Sequence, residues 1–189
     1  MQEKEIMKAI ELVRKYQSET NRIEVKRAAL DIPKKCYDTI SSFSNKDGGI
    51  IIFKIDEENN FCTEGVYDIK DLQSKISSFC CDAMEPVVRP EFLSMEFEGK
   101  MILGVKIEEI AQAKKPCYYK PKGLNKVAYI RVGDRDEVMT SYEIYALESY
   151  NNGIREDLRP NKRSTLEDLD EEELNHYIEK NKIRKAKFC

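Results

Sequence analysis

Residues 43–56 read FSNKDGGIIIFKID, and the fold turns on them. Asp47-Gly48-Gly49 is a turn signal, with glycine marking backbone of positive φ. Behind it, Ile50-Ile51-Ile52-Phe53-Lys54-Ile55 is a short apolar run rich in β-branched residues. A run without polar alternation predicts a central strand buried on both faces. Asp56, Glu57, Glu58, Asn59 and Asn60 end it at the surface. The glycine pair precedes a strand, so it lacks the helix N-terminus that makes a phosphate cradle. No Walker-type Lys-Ser/Thr motif is present, so nucleotide hydrolysis is not expected within this chain.

A strand buried on both faces needs cover on each, and the flanking sequence offers it. Residues 3–17 place Ile6, Ile10, Leu12 and Val13 at helical spacing with charges opposite. Residues 21–27 (NRIEVKR) alternate, predicting a half-buried strand with Ile23 and Val25 inward and Arg22, Glu24 and Lys26 as a charged outer row. Pro33 suits the first turn of a helix through about Asn45, lined inside by Cys36, Ile40 and Phe43. A further helix covers 68–82, with Ile69, Leu72, Ile76 and Phe79 at spacings of three and four. Phe92–Phe97 and Met101–Ile107 flank a Glu98-Gly99-Lys100 turn as a hairpin. Val127–Val132 is a strand ended by Gly133, and a helix from about Ser141 to Tyr150 closes the compact part.

The chain has 189 residues, 41% of them hydrophobic, enough for a core without disulfide or metal staples. Its 32 basic and 35 acidic residues give a net charge of −3, which argues against a wholesale polyanion coat but permits a local basic groove. Six cysteines form no Cys-x-x-Cys pair and there is one histidine, so a Cys/His zinc site is not expected. The thiols read as small reduced packing groups. His176 reads as a solvated surface residue. No signal peptide or 18-residue apolar run is present, so a soluble cytoplasmic protein without membrane contact is expected. Composition shifts after Tyr150, giving a domain over 1–150, a linker over 151–163 and a helical charged tail over 164–189. In that tail seven acids all precede Lys180 and five bases follow from it, which suits a helix macrodipole. Its ending, KIRKAKFC, has no natural stop, as though the chain led to a further region. The stripes Ile6, Ile10, Val13 and Leu174, Tyr177, Ile178 are candidate faces for a homodimer.

Residues 111–135 carry Lys114, Lys115, Lys120, Lys122, Lys126, Arg131 and Arg135 against Asp134 alone, with Tyr118, Tyr119 and Tyr129 interleaved. Cations capture phosphates and release counterions, while flat rings offer stacking faces to unpaired bases. The same residues fit a solvated loop with its tyrosines packed inward, or a basic loop that meets an acidic protein partner.

Two blocks carry a resemblance. One is ETNRIEVK at 19–26 followed by FSNKDGGIIIFKID at 43–56; the other is KPCYYK at 115–120 followed by YIRVG at 129–133. In this order they resemble the signature of the Schlafen/AlbA-type DNA-binding domain, over roughly residues 15–150. Lys54 departs from the usual Gly, Glu57 from the second Asp, and Asp134 from a frequent Ser. The resemblance implies an α+β fold, with a mixed β-sheet flanked by helices, and contact with DNA or RNA. It points to bacterial transcriptional regulators and helicase-like proteins, and makes the basic residues and Tyr119 candidate nucleic-acid contacts. It also implies an alternative. Eukaryotic Schlafens use a related domain as a metal-dependent endoribonuclease, here one that would act on structured RNA, and Glu19, Glu24 and Asp56 (or Glu57) match its carboxylates, which would be catalytic and bind Mg²⁺ or Mn²⁺. The bland reading of Glu24 is a surface ion pair with Lys26, Lys54 or Arg22.

Overall fold

The structure, a computed structural model, describes residues 1–27, 35–65, 68–122, 128–154, 163, 165 and 168–181, with the side chain of Lys122 excepted. Pro33, Lys126, Val127, most of the expected linker and residues 182–189 lie outside them. The chain divides into two units, Met1–Ile154 and Arg155–Cys189.

The apolar run forms β2 (Gly49–Phe53), an inner strand of a four-stranded sheet. The order is β1 (Ile23–Lys26), β2, β7 (Lys100–Ile107), β6 (Glu91–Phe97). β1 and β2 are parallel; β2–β7 and β7–β6 are antiparallel, so the sheet is mixed and the fold is α+β. Ile51, Ile52 and Phe53 are all fully buried, as expected of a strand covered on both sides.

One face is covered by α1 (Glu3–Tyr16), whose Ile6, Ile10 and Val13 pack with Ile52, Met95 and Ile102. The α1 stripe is therefore spent within the chain rather than offered to a partner. The other face carries α2 (Cys36–Asn45) and α3 (Ile69–Asp82), packing Cys36, Ile40, Phe43, Leu72 and Ile76 on Ile51, Phe53, Leu103 and Val105. Each fully buried aliphatic side chain contributes about 1.5–3 kcal/mol, so these stripes hold the layers together. Asp68 caps α3 by accepting from the Asp71 N–H at 2.9 Å. Thr140 and Glu143 form a capping box at the start of α4 (Ser141–Asn151). In the second unit, Asp170 accepts from the Glu172 and Glu173 N–H groups to start α5 (Glu171–Lys180).

The apolar run is shorter than its pattern suggests. Lys54 sits at φ +73°, so β2 stops at Phe53. Ile55–Asp56 (β3) then pairs with Cys62–Thr63 (β4). The outer row of β1 is not solvated either: Glu24 lies opposite Ile51, on the face that α2 covers, and is 4% exposed. Two short strands beyond the sequence pattern, β5 (Met84–Glu85) and β8 (Tyr118–Tyr119), pair with each other. Tyr129–Val132 (β9) pairs with Arg135–Val138 (β10) through a turn at Gly133. None of the helices among the described residues is long and apolar enough to cross a membrane.

Gly104 faces α1, where an added Cβ would run into Ile6 Cδ1. Gly104→Ala should therefore cost about 1–3 kcal/mol by overpacking, read as a lowered urea midpoint at unchanged m-value.

Candidate functional site

The acids singled out in the sequence meet a buried cation. Arg131, on β9, is 2% exposed. Its Nη2 donates to Glu24 Oε2 at 2.8 Å and to the Thr20 carbonyl at 3.0 Å. Its Nη1 donates to Asp136 Oδ1 at 2.8 Å, and its guanidinium lies 5.2 Å from the centre of the Phe43 ring. Phe43 reaches this place because Gly49 has no Cβ; one added there would fall 2.5 Å from the ring. Gly48 is the residue that needs positive φ, at +65°. Asp136 also accepts from Thr39 Oγ1 at 2.8 Å and Ser42 Oγ at 2.5 Å. Lys26 Nζ donates to Glu24 Oε1.

Glu19 completes the cluster. Its Oε1 accepts from the Val25 N–H at 2.8 Å, and its Oε2 is 3.9 Å from Arg131 Nη2. Burial, then the neighbouring Glu24 carboxylate, raises its pKa to about 8. At neutral pH Glu19 therefore keeps its proton and shares it with Glu24. Two anions, Glu24 and Asp136, then face two cations, Arg131 and Lys26, and the buried group is neutral. Ionising Glu19 would leave a net negative charge in a site where solvation is poor.

Asp56 stands apart from this cluster. It accepts from the Glu58 N–H at 3.1 Å and faces Arg27 at 3.7 Å. Among the described residues no three His, Cys, Asp or Glu side chains are arranged to hold a metal ion. Both oxygens of Glu24 are on cations and Asp56 lies outside the Glu19–Glu24 pair, so these three carboxylates do not form the common ligand set that the resemblance implies. The structure brings Glu19 and Glu24 together and leaves Asp56 out.

The basic stretch also divides. Arg131 is buried and spends its guanidinium on Glu24, Asp136 and the Thr20 carbonyl. Lys115 is 9% exposed and pairs with Glu109, and its carbonyl accepts from Asn151 Nδ2 at 2.6 Å. Tyr119 stacks on Tyr37, with centroids 5.0 Å apart, and near Phe79, so its ring serves the core. Lys114, Lys120 and Arg135 remain at the surface. Lys122 is placed by its backbone alone, and Lys126 lies outside the described residues. The pairing of β5 with β8 sets Lys120 3.6 Å from Glu85. Beside them opens a cleft of about 530 Å³ lined by Glu85, Pro86, Arg89, Lys114, Pro116 and Tyr118. Two cations, Arg89 and Lys114, thus share the cleft with Glu85, which Lys120 faces from its edge. Sequence reading missed Arg89, a single cation outside the charged run, and Asp136, whose importance appears only once β10 is paired with β9.

Cys36 and Cys117 are buried and their thiols are pushed up to about 12 by burial; Cys80 is likewise raised. They are inert packing groups.

The Glu19 proton makes a stability prediction. Its pKa in the folded chain lies above the ordinary 4.5. The stabilisation is fully present below about pH 4.5, declines by up to ~1.4 kcal/mol per pH unit above it, and is lost above about pH 8. Glu19→Gln reproduces the protonated form, so its urea stability should change less between pH 5 and 8 than the parent's, with the two nearly equal near the low end.

The family model for "Schlafen, AlbA_2" matches residues 19–140. The solution NMR structure of the N-terminal domain of a RecG-related protein from Nitrosomonas europaea is similar, with TM-score 0.55 and 28% identity over 70% of this chain and 92% of that one. The crystal structure of the DIP2311 protein from Corynebacterium diphtheriae aligns with TM-score 0.49 and 16% identity, over 93% of this chain and 34% of that one. No curated protein sequence matches the chain. The matched residues span both signature blocks, and with them Glu24, Asn45, Gly49 and Arg131; the chain belongs to the Schlafen AlbA_2 family.

Proposed function

We propose that Met1–Ile154 is a nucleic-acid-binding domain that holds its ligand mainly through phosphates. The observation that carries this reading is the cleft lined by Arg89 and Lys114, whose one acid, Glu85, is paired with Lys120, in a chain whose net charge is −3. Among the described residues no carboxylate pairs with Arg89 or Lys114, so both remain available to an anion. Family membership supports the same reading, as does the likeness to a domain of a RecG-related protein. Arg135, exposed on β10, is a further candidate contact.

Phosphate contacts fix position and supply salt-dependent affinity, but carry no sequence information. In a transcriptional regulator, the role we propose for the whole protein, target choice would come from elsewhere.

The test is fluorescence anisotropy of the full chain with labelled oligonucleotides at two salt concentrations. Binding should weaken steeply with salt. Reversing Arg89, Lys114 and Lys120 to Glu should abolish most of it, each lost phosphate contact lowering the log–log salt slope by about 0.7–0.9. No binding at low salt would overturn the reading and favour an acidic protein as the partner of this surface.

A further inference from the structure

Charge alone would serve a duplex and a single strand equally, but the walls of the cleft are not only charged. Tyr118, Pro86 and Pro116 line it, with the exposed Val87 beside them. Tyr118 is half-buried and packs in part on the cluster of Ala128, Met139 and Ile144, so its ring is held in place rather than swinging in solvent. β8, which carries it, is pinned through Cys117, whose N–H donates to Asn45 Oδ1 at 2.6 Å and whose carbonyl accepts from Ser41 Oγ at 2.7 Å. The hollow thus combines a fixed aromatic ring and proline surfaces with the cations Arg89 and Lys114.

A double helix keeps its base faces stacked inside and shows a protein its backbone and groove edges. It has no flat apolar surface to bury in such a hollow. An unpaired base has that surface. Stacked on a ring, it would leave its own phosphate within reach of the surrounding cations.

We propose that the Glu85–Tyr118 cleft receives an unpaired nucleobase, with Tyr118 as its stacking platform and Arg89 and Lys114 on the adjoining phosphates, so that the domain prefers single-stranded nucleic acid. This rests on the nucleic-acid reading above and adds the class of strand.

The experiment compares the full chain on a mixed-sequence single strand and on its duplex, and then on Tyr118→Ala. The parent should bind the single strand at least about tenfold more tightly than the duplex. Tyr118→Ala should lose about five- to a hundredfold on the single strand, the range of one base-stacking contact, and little on the duplex. Photo-crosslinking the unaltered protein to a bromouracil-substituted single strand keeps the test valid if Tyr118→Ala misfolds; adducts should fall on peptides containing 84–90 or 114–119. Equal or tighter duplex binding, or adducts confined to other peptides, would overturn this proposal while leaving phosphate binding intact. Failure to bind either form would overturn both.

Discussion

A single buried guanidinium ties the domain together. Arg131 reaches Glu24 on the edge strand of the sheet and Asp136 on its own hairpin, and stacks on Phe43 of the helix between them. Its planar fork aims donors at two carboxylates in fixed directions, which a compact ammonium does not. Burying two acids and two bases is tolerable only because the charges balance, and the proton held by Glu19 keeps that balance. Asn45 adds a second latch: its amide donates to the Cys117 and Tyr129 carbonyls at 2.9 Å each, while its oxygen accepts from the Cys117 N–H. Through Arg131 and Asn45, sequence blocks some seventy to more than a hundred residues apart become one structure.

This explains why several of the most recognisable residues, Glu24, Asn45 and Gly49 among them, are poor candidates for direct contact with a ligand. The signature segments at 19–26, 43–56 and 115–133 meet each other: Glu24 meets Arg131, Asn45 meets Cys117 and Tyr129, and Gly49 makes room for Phe43. Their chemistry is internal. Of the carboxylates that resemble a nuclease site, Glu24 is held by Lys26 and Arg131 and Asp56 faces Arg27, so their charge is engaged within the fold. The cleft built by the short β5–β8 pairing takes Pro116 and Tyr118 from the same signature and opens to solvent, and a second cleft opens beside Glu19, Lys46, Arg131 and Asp134.

The architecture was largely legible in the sequence because it follows from periodicity. The α1 stripe, the β-branched run of β2 and the hairpin of β6 and β7 each announce themselves locally. Local pattern could not reveal that α2 covers the charged row of β1, because alternation marks two faces without saying what lies on each. Nor could it show that Lys54, at positive φ, ends a run that otherwise reads as continuous strand. The candidate site was legible in part. Glu19, Glu24 and Arg131 were named, but as ligands and contacts rather than partners, since charge runs carry no information on pairing across 107 residues. Arg89 joins Lys114 only through the path of the chain after α3.

The central claim is that Arg131 and Asp136 are energetically coupled within a neutral buried cluster. A double-mutant cycle with Arg131→Met and Asp136→Leu, followed by urea denaturation, tests it most directly. Arg131→Met leaves the part-buried Asp136 without its cation and Glu24 with Lys26 alone, and should cost about 3–5 kcal/mol. In the double variant Glu24 keeps Lys26, while Thr39 and Ser42 keep the Lys35 and Thr39 carbonyls, so the loss should fall short of the sum by about 2 kcal/mol or more. A coupling below about 0.5 kcal/mol would contradict the account.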